Sequence, residues 1–110
     1  MRLLKDPERH KAMERWLAGR LVADIKASLE AANIKDDLVR ELTKELALGV
    51  AAKWEFVAPN TVDIDGERTA PFLVFGIDND DEDVVVRNYD DMGSFLTREI
   101  EAALILAFRA

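Results

Sequence analysis

A dense run of carboxylates is the part of this sequence whose residue types most clearly suit binding chemistry. Clustered carboxylates hold hard cations, because Ca²⁺ takes roughly six to eight oxygen ligands. The calcium-loop pattern also requires glycine at its sixth position and glutamate at its twelfth, where this run has Asp83 and Tyr89. The run therefore predicts no metal site. Its acidic members are Asp78, Asp80, Asp81, Glu82 and Asp83.

Two interpretations of this acidic run stay open. In the first it is a docking loop, whose charges steer and hold a partner with a basic surface. In the second it is a solvated turn, whose charges prevent two apolar strands from pairing at their edges and keep the hairpin soluble. The docking interpretation makes all five carboxylates candidate partner-binding residues.

Two polar pairs are candidates for the lining of a pocket. Asp24 and Ser28 fall inside the apolar arc of the first predicted helix, where a polar group needs a partner or a cavity. Asp63 and Asp65 lie two residues apart on a predicted strand, so they share a face and could do acid–base work. The simpler explanation of the first pair is that it lies at the edge of a wide apolar arc. The simpler explanation of the second pair is that Asp65 belongs to a turn and Asp63 lies on the polar side of an edge strand.

Few other residues could carry catalysis. His10 is the only histidine and cysteine is absent, which excludes disulfides, thiolate nucleophiles and histidine/cysteine zinc sites. The basic neighbours Arg9, Lys11 and Arg15 predict that His10 lies at the surface. No glycine-rich phosphate loop is present. The sequence thus predicts no cofactor and no catalytic residue, and leaves enzymatic activity undecided.

The net charge of −7 is concentrated in one stretch. Residues 78–91 contain seven Asp/Glu and one Lys/Arg, which gives −6. This distribution argues against binding to nucleic acid or to an anionic membrane, since both require a basic surface. The N-terminus lacks the apolar core of a signal peptide, and no apolar run approaches the ~20 residues that span a bilayer. We therefore expect a soluble cytoplasmic protein.

The predicted secondary structure begins with an antiparallel helix hairpin. Asp6 suits the N-cap and Pro7 the first helical position, and apolar residues then recur every four positions as far as Ala32. Asn33 either closes this helix or caps a second one, for which Asp36 and Asp37 also suit the start. The predicted core stripes of the two helices are Met13, Leu17, Leu21, Ile25 and Leu29, and then Leu38, Val39, Leu42, Leu46 and Val50.

The pattern then changes from helical to strand periodicity. Short strands are predicted at 54–58, 61–64, 72–77 and 84–87, with Asp65-Gly66 as a two-residue hairpin turn. Strand 84–87 offers apolar groups to both faces. Ser94 is the predicted cap of a last helix. The prediction is one α+β domain over 1–110, ordered α-α-β-β-β-β-α: an N-terminal antiparallel helix hairpin, a small antiparallel sheet of three to four strands and a C-terminal helix.

Large apolar side chains off the core stripes predict contacts between molecules. The last helix is apolar nearly all round at its end, where Ile105, Leu106 and Phe108 lie off its core stripe. Those three residues are candidates for a homodimer contact. Trp16 is also off its stripe, and we expect it to pack in the core or at its rim.

Three functional hypotheses follow. The leading one is a small acidic, non-enzymatic protein-interaction module, such as an inhibitor, antitoxin or immunity-like protein, that uses the loop 78–83. The first alternative is a homo-oligomeric structural or assembly subunit. The second is a small-molecule-binding protein or an enzyme with carboxylates in a pocket.

Overall fold

The fold is α+β, with helices at both ends of the chain and small sheets, as the sequence predicts. A computed structural model describes residues 1–54, 62–69, 73–87 and 96–109. Within these ranges the helices are α1 (Pro7–Ala31), α2 (Asp36–Ala52) and α3 (Leu96–Ala107). The strands are β1 (Arg2–Lys5), β2 (Val62–Ile64), β3 (Glu67–Thr69), β4 (Phe75–Gly76) and β5 (Asp83–Val86).

Both ends of α1 are determined by local signals. The Asp6 side chain accepts a hydrogen bond from the Arg9 amide at 3.0 Å, and Pro7 opens the helix. At the other end Asn33 adopts a φ of 60°, and the Ile34 amide donates to the Leu29 carbonyl at 3.2 Å. This left-handed closure reverses the chain into α2. The predicted Asp6 cap and the helix hairpin are confirmed, and Asn33 closes α1.

Small side chains form the centre of the three-helix core. Ala18 and Val22 of α1 pack with Ala47 and Ala51 of α2, and with Leu96 and Ile100 of α3. Alanine at this contact lets the helix backbones approach closely. The predicted stripes are confirmed in part: Leu17, Leu21 and Ile25 pack half-buried against this core, and Val39 is fully buried. The fully buried lines are His10, Glu14, Ala18 and Val22 on α1, and Val39, Thr43, Ala47 and Ala51 on α2, while Leu38, Leu46 and Val50 are exposed.

The larger sheet has the order β1-β5-β4 and contains a strand that the sequence does not predict. β1 pairs in parallel with β5, so the sheet is mixed and not wholly antiparallel. The Asp6 amide extends this ladder by donating to the Val86 carbonyl at 3.0 Å. In β5, Val85 and Val86 are both buried although they point to opposite faces, which confirms the predicted two-faced strand.

The second sheet is the hairpin of β2 and β3. Asp65 and Gly66 have φ angles of 52° and 83°, as a two-residue type I′ turn requires. The predicted turn is confirmed, and all residues of both strands are exposed. The predicted strand residues 55–58, the start of strand 72–77 and the Ser94 cap lie outside the described residues.

An ion pair joins β1 to β5. Arg2 Nε and Nη2 donate to the two carboxylate oxygens of Asp83, each at 2.8 Å. The hydrogen bond from Arg2, followed by one from Asn79, holds the pKa of Asp83 below its ordinary value, against the opposing effect of burial. Since the folded-state pKa is lowered, the pair stabilises the fold above about pH 4, and this stabilisation is lost as the pH falls through the folded-state pKa.

We predict that Arg2→Met lowers the midpoint of thermal unfolding at neutral pH and has a much smaller effect in acid. Circular dichroism of both proteins at about pH 7 and about pH 3 measures the two differences. Arg20→Met is the control, because Arg20 pairs with Asp24 at 3.6 Å between two exposed side chains. A difference between wild type and Arg2→Met that is the same at both pH values would contradict the prediction.

Candidate functional site

The acidic run forms a hydrogen-bonded turn between β4 and β5. Asn79 Nδ2 donates to Asp83 Oδ2 at 3.0 Å, and the Asp83 amide donates to Asn79 Oδ1 at 3.2 Å. The Ile77 amide donates to the Asp83 carbonyl at 2.8 Å, which closes the base of the turn. Glu82 adopts a φ of 51°, a conformation that L-residues rarely take. These contacts give the turn a defined shape.

The five carboxylates of the run divide into two groups. Asp83 is 4% exposed, and its carboxylate oxygens accept hydrogen bonds from Arg2 and Asn79, so this side chain holds the turn together. The sequence-based interpretation of Asp83 did not include this contact with β1. The other four are exposed, and Asp81 lies 3.6 Å from Arg2 Nη2. The exposed set, which we call the acidic turn, is Asp78, Asp80, Asp81 and Glu82.

An apolar groove lies beside the start of this turn. It has a volume of about 340 Å³ and is bounded by α1 on one side and by Phe75 and Gly76 of β4 on the other. Trp16 is 66% exposed on its wall, so the expected packing of this ring in the core or at its rim is wrong. Asp78 follows Gly76 by two residues, no more than about 7 Å of extended chain. We call this the Trp16 groove; its lining is Arg9, Ala12, Met13, Trp16, Phe75 and Gly76.

A buried polar pair lies beneath β4. His10 and Glu14 are 1% and 0% exposed, and His10 Nδ1 lies 2.8 Å from Glu14 Oε1. His10 Nε2 donates to the Leu73 carbonyl at 2.9 Å, since that oxygen can only accept. The His10 ring also meets Phe75 edge to face, with centroids 5.2 Å apart. The expected surface position of His10 is therefore wrong: the ring joins α1 to residues 73–75.

The charge state of His10 follows from these contacts. Burial lowers the pKa of the imidazole, but the hydrogen bonds to Glu14 and to the Leu73 carbonyl and the charge of Glu14 raise it, against a smaller opposing effect of Arg87. The net pKa is above the ordinary value. In the imidazolium form both ring nitrogens donate, one to each partner. Because both nitrogens are occupied, His10 in this arrangement serves as a clamp and has no nitrogen to offer a substrate.

The structure does not bring the predicted pocket residues into the Trp16 groove. Asp24 and Ser28 are exposed on α1, and the Asp24 carboxylate faces Arg20 at 3.6 Å. This corrects their placement inside an apolar arc, because the true core line of α1 passes through Ala18 and Val22. Asp63 and Asp65 are exposed in the β2–β3 hairpin, where Asp65 forms the turn.

The predicted dimer residues lie together at the end of α3. Ile105 and Leu106 are 70% and 63% exposed. Phe108 is half-buried, and Lys26 Nζ lies 5.4 Å from its ring centroid.

In the described ranges, no group of three or more acidic or histidine side chains is placed to hold a metal ion. None of the described helices combines the length and apolar character needed to cross a bilayer. Comparison of the chain with protein-family models, with curated proteins and with solved structures found no match.

Neither the burial of His10 nor the contacts of Arg2 and Glu14 were predicted from the sequence. A usable signal was present for one pair: His10 and Glu14 are spaced i, i+4 in line with Ala18 and Val22, so a single line of α1 contains all four. No comparable signal exists for Arg2, whose partner is 81 residues away.

We predict that the single histidine titrates with a pKa above about 6.5, measured by NMR of its imidazole resonances over pH 5–10. Because the folded-state pKa is raised, the pair stabilises the fold fully below the unfolded-state pKa and progressively less as the pH rises through the folded-state value. Thermal stability should therefore fall over that interval. His10→Gln should lack this step, and an imidazole that titrates below 6.5 would refute the prediction.

Proposed function

We propose that this chain is a protein-interaction module that binds a basic segment of another protein through the acidic turn and the Trp16 groove. The proposal is carried by one observation: the turn with four exposed carboxylates, whose shape is held by Asp83, begins two residues after Gly76, which lines an apolar groove with an exposed tryptophan.

The charge of the turn supports a basic partner. Four of the five consecutive residues 78–82 are acidic, and Asn79 is the exception. The side-chain hydrogen bonds within the turn use Asn79 and Asp83 and leave these four carboxylates out. A compact acidic site attracts Lys and Arg side chains and increases the rate of encounter. The same charge repels phosphate groups, so the proposal includes no nucleic-acid partner.

The groove supports an apolar anchor in the same partner. Tryptophan is among the residues that most often dominate binding energy at protein interfaces, because its large ring buries much apolar area. Phe75 lies on the wall opposite Trp16, and its ring contacts the buried His10 ring edge to face. An aliphatic or aromatic side chain fits such a groove, so the expected partner segment places one near two or three basic residues.

The absence of cysteine is consistent with a reducing compartment, and we propose a cytoplasmic location on that basis. Inhibitors, antitoxins and immunity-type proteins are the class of module that this mode of binding fits, since an acidic surface can occlude a basic one.

The test compares binding to a partner captured from lysate of the source organism and then purified. The variant Asp78→Asn/Asp80→Asn/Glu82→Gln removes three exposed charges. It keeps Asp81 and Asp83, which contact Arg2. We expect at least an approximately tenfold weaker affinity at low salt, and a shallower salt dependence, because each lost rim contact is worth about 0.5–1 kcal/mol.

The matched control is Glu45→Gln/Asp63→Asn/Glu67→Gln, which changes the net charge equally at exposed positions elsewhere. It should bind as wild type does. Equal binding by the control and the acidic-turn variant, or no protein retained by wild type at low salt, would rule the proposal out.

The groove has a separate test. Trp16→Ala should weaken the same complex by about thirtyfold, the effect of losing a tryptophan worth roughly 2 kcal/mol at an interface. Its unfolding midpoint should change little, since the ring is mainly exposed in the free protein. Isothermal titration calorimetry and thermal unfolding measure the two effects. Unchanged affinity would remove the groove from the binding surface.

A further inference from the structure

The buried His10 ring joins α1 to the β4 wall of the Trp16 groove. Its Nε2 atom donates to the Leu73 carbonyl at 2.9 Å, and the ring meets Phe75, which lines the groove, edge to face. On its other side this wall is held by the antiparallel pairing of β4 with β5. The position of the wall relative to α1 therefore depends on a hydrogen bond whose donor is a titratable group.

The two hydrogen bonds of the ring require the imidazolium form. Glu14 Oε1 lies 2.8 Å from Nδ1, and an ionised carboxylate and a carbonyl oxygen both only accept. A neutral imidazole has one proton, so one of these two oxygens must then face a nitrogen lone pair. The bond to the carboxylate is charge-assisted and is the stronger of the two. The remaining proton therefore stays on Nδ1, and the bond to the Leu73 carbonyl is lost.

Two charged groups act on the ring. Against the lowering effect of burial, the hydrogen bond and the charge of Glu14 raise the pKa of His10, while the charge of Arg87, which directly follows β5, lowers it. The neighbouring residues 73–75 and 84–86 have no titratable side chain. The proton is thus lost above about pH 6.5, where aspartate and glutamate are ordinarily already ionised.

We propose that loss of the His10 proton releases the Leu73 carbonyl, frees the β4 wall to shift relative to α1, and thereby weakens binding in the Trp16 groove. The Leu73 side chain packs half-buried against the helical core, so the shift is local and the domain stays folded. The effect on binding rests on the function proposed above, whereas the shift of the wall is a property of the free protein.

The first experiment is NMR of the full chain across the titration of His10. It follows the nuclear Overhauser effects between the His10 and Phe75 rings, and the residual dipolar couplings of the Leu73 and Val74 amides, which report bond orientation and not charge. In wild type the ring-to-ring effects should weaken and the couplings should change, with the same midpoint as the imidazole resonances. Constant couplings and ring contacts through that midpoint would overturn the proposal.

Glu14→Gln is the variant that separates titration from the shift. Its amide nitrogen can donate to Nδ1, so a neutral His10 keeps its proton on Nε2 for the Leu73 carbonyl. Its His10 should titrate with a lower pKa, because the carboxylate is gone, and the wall should stay in place. A wall that shifts in Glu14→Gln as it does in wild type would refute the assigned proton positions.

The second experiment measures affinity for the partner purified in the acidic-turn test, by calorimetry well below and well above the pKa of His10. Wild type should bind at least approximately fivefold more weakly at the higher pH, about the effect of one net hydrogen bond. Glu14→Gln should show no such loss, and His10→Gln reports any pH dependence that belongs to the partner. Because coupling is reciprocal, the partner should raise the pKa of His10 by about 0.7.

The outcomes distinguish this proposal from the proposed function. A partner that depends on the acidic turn but binds wild type equally at both pH values would overturn the regulation and leave the proposed function intact. If wild type retains no partner, the proposed function fails and the regulation fails with it, while the NMR measurement still decides whether the wall shifts.

Discussion

The hydrogen bonding of His10 is the constraint on which much of the structure depends. A buried imidazole and a buried carboxylate are costly to desolvate unless each has a partner. Glu14 lies one helical turn from His10, and the remaining nitrogen reaches the Leu73 carbonyl. That last bond joins α1 to the segment that continues into β4 and the acidic turn. The polar pair therefore fixes where the proposed binding surface lies relative to α1.

A second polar contact holds the other end of the turn. β5 begins at Asp83, where the ion pair with Arg2 joins it to β1 and the bond to Asn79 closes the turn. The turn thus lies between two anchored strands, and its exposed carboxylates keep a definite arrangement. Pre-organisation of this kind lowers the entropy lost on binding.

The helices leave several large apolar side chains on outer faces. Their buried core consists of Ala18 and Val22 of α1, Ala47 and Ala51 of α2, and Leu96 and Ile100 of α3. Three of these six residues are alanines, which bury less apolar area than leucines and so contribute less to stability. Leu38, Leu46 and Ile105 lie outside this core and are exposed.

Local sequence patterns were enough to predict the α+β class, the Asp6 cap of α1, the Asp65-Gly66 turn, the two-faced strand and the concentration of charge. These features depend on residues within a few positions of one another. Three features depend instead on tertiary contacts: the parallel pairing of β1, the burial of His10 and the internal hydrogen bonds of Asp83. Their contacts join residues 63 and 81 positions apart, and a local pattern contains no information about such distant partners. The exposure of Trp16 was likewise decided by which line of α1 meets the other helices.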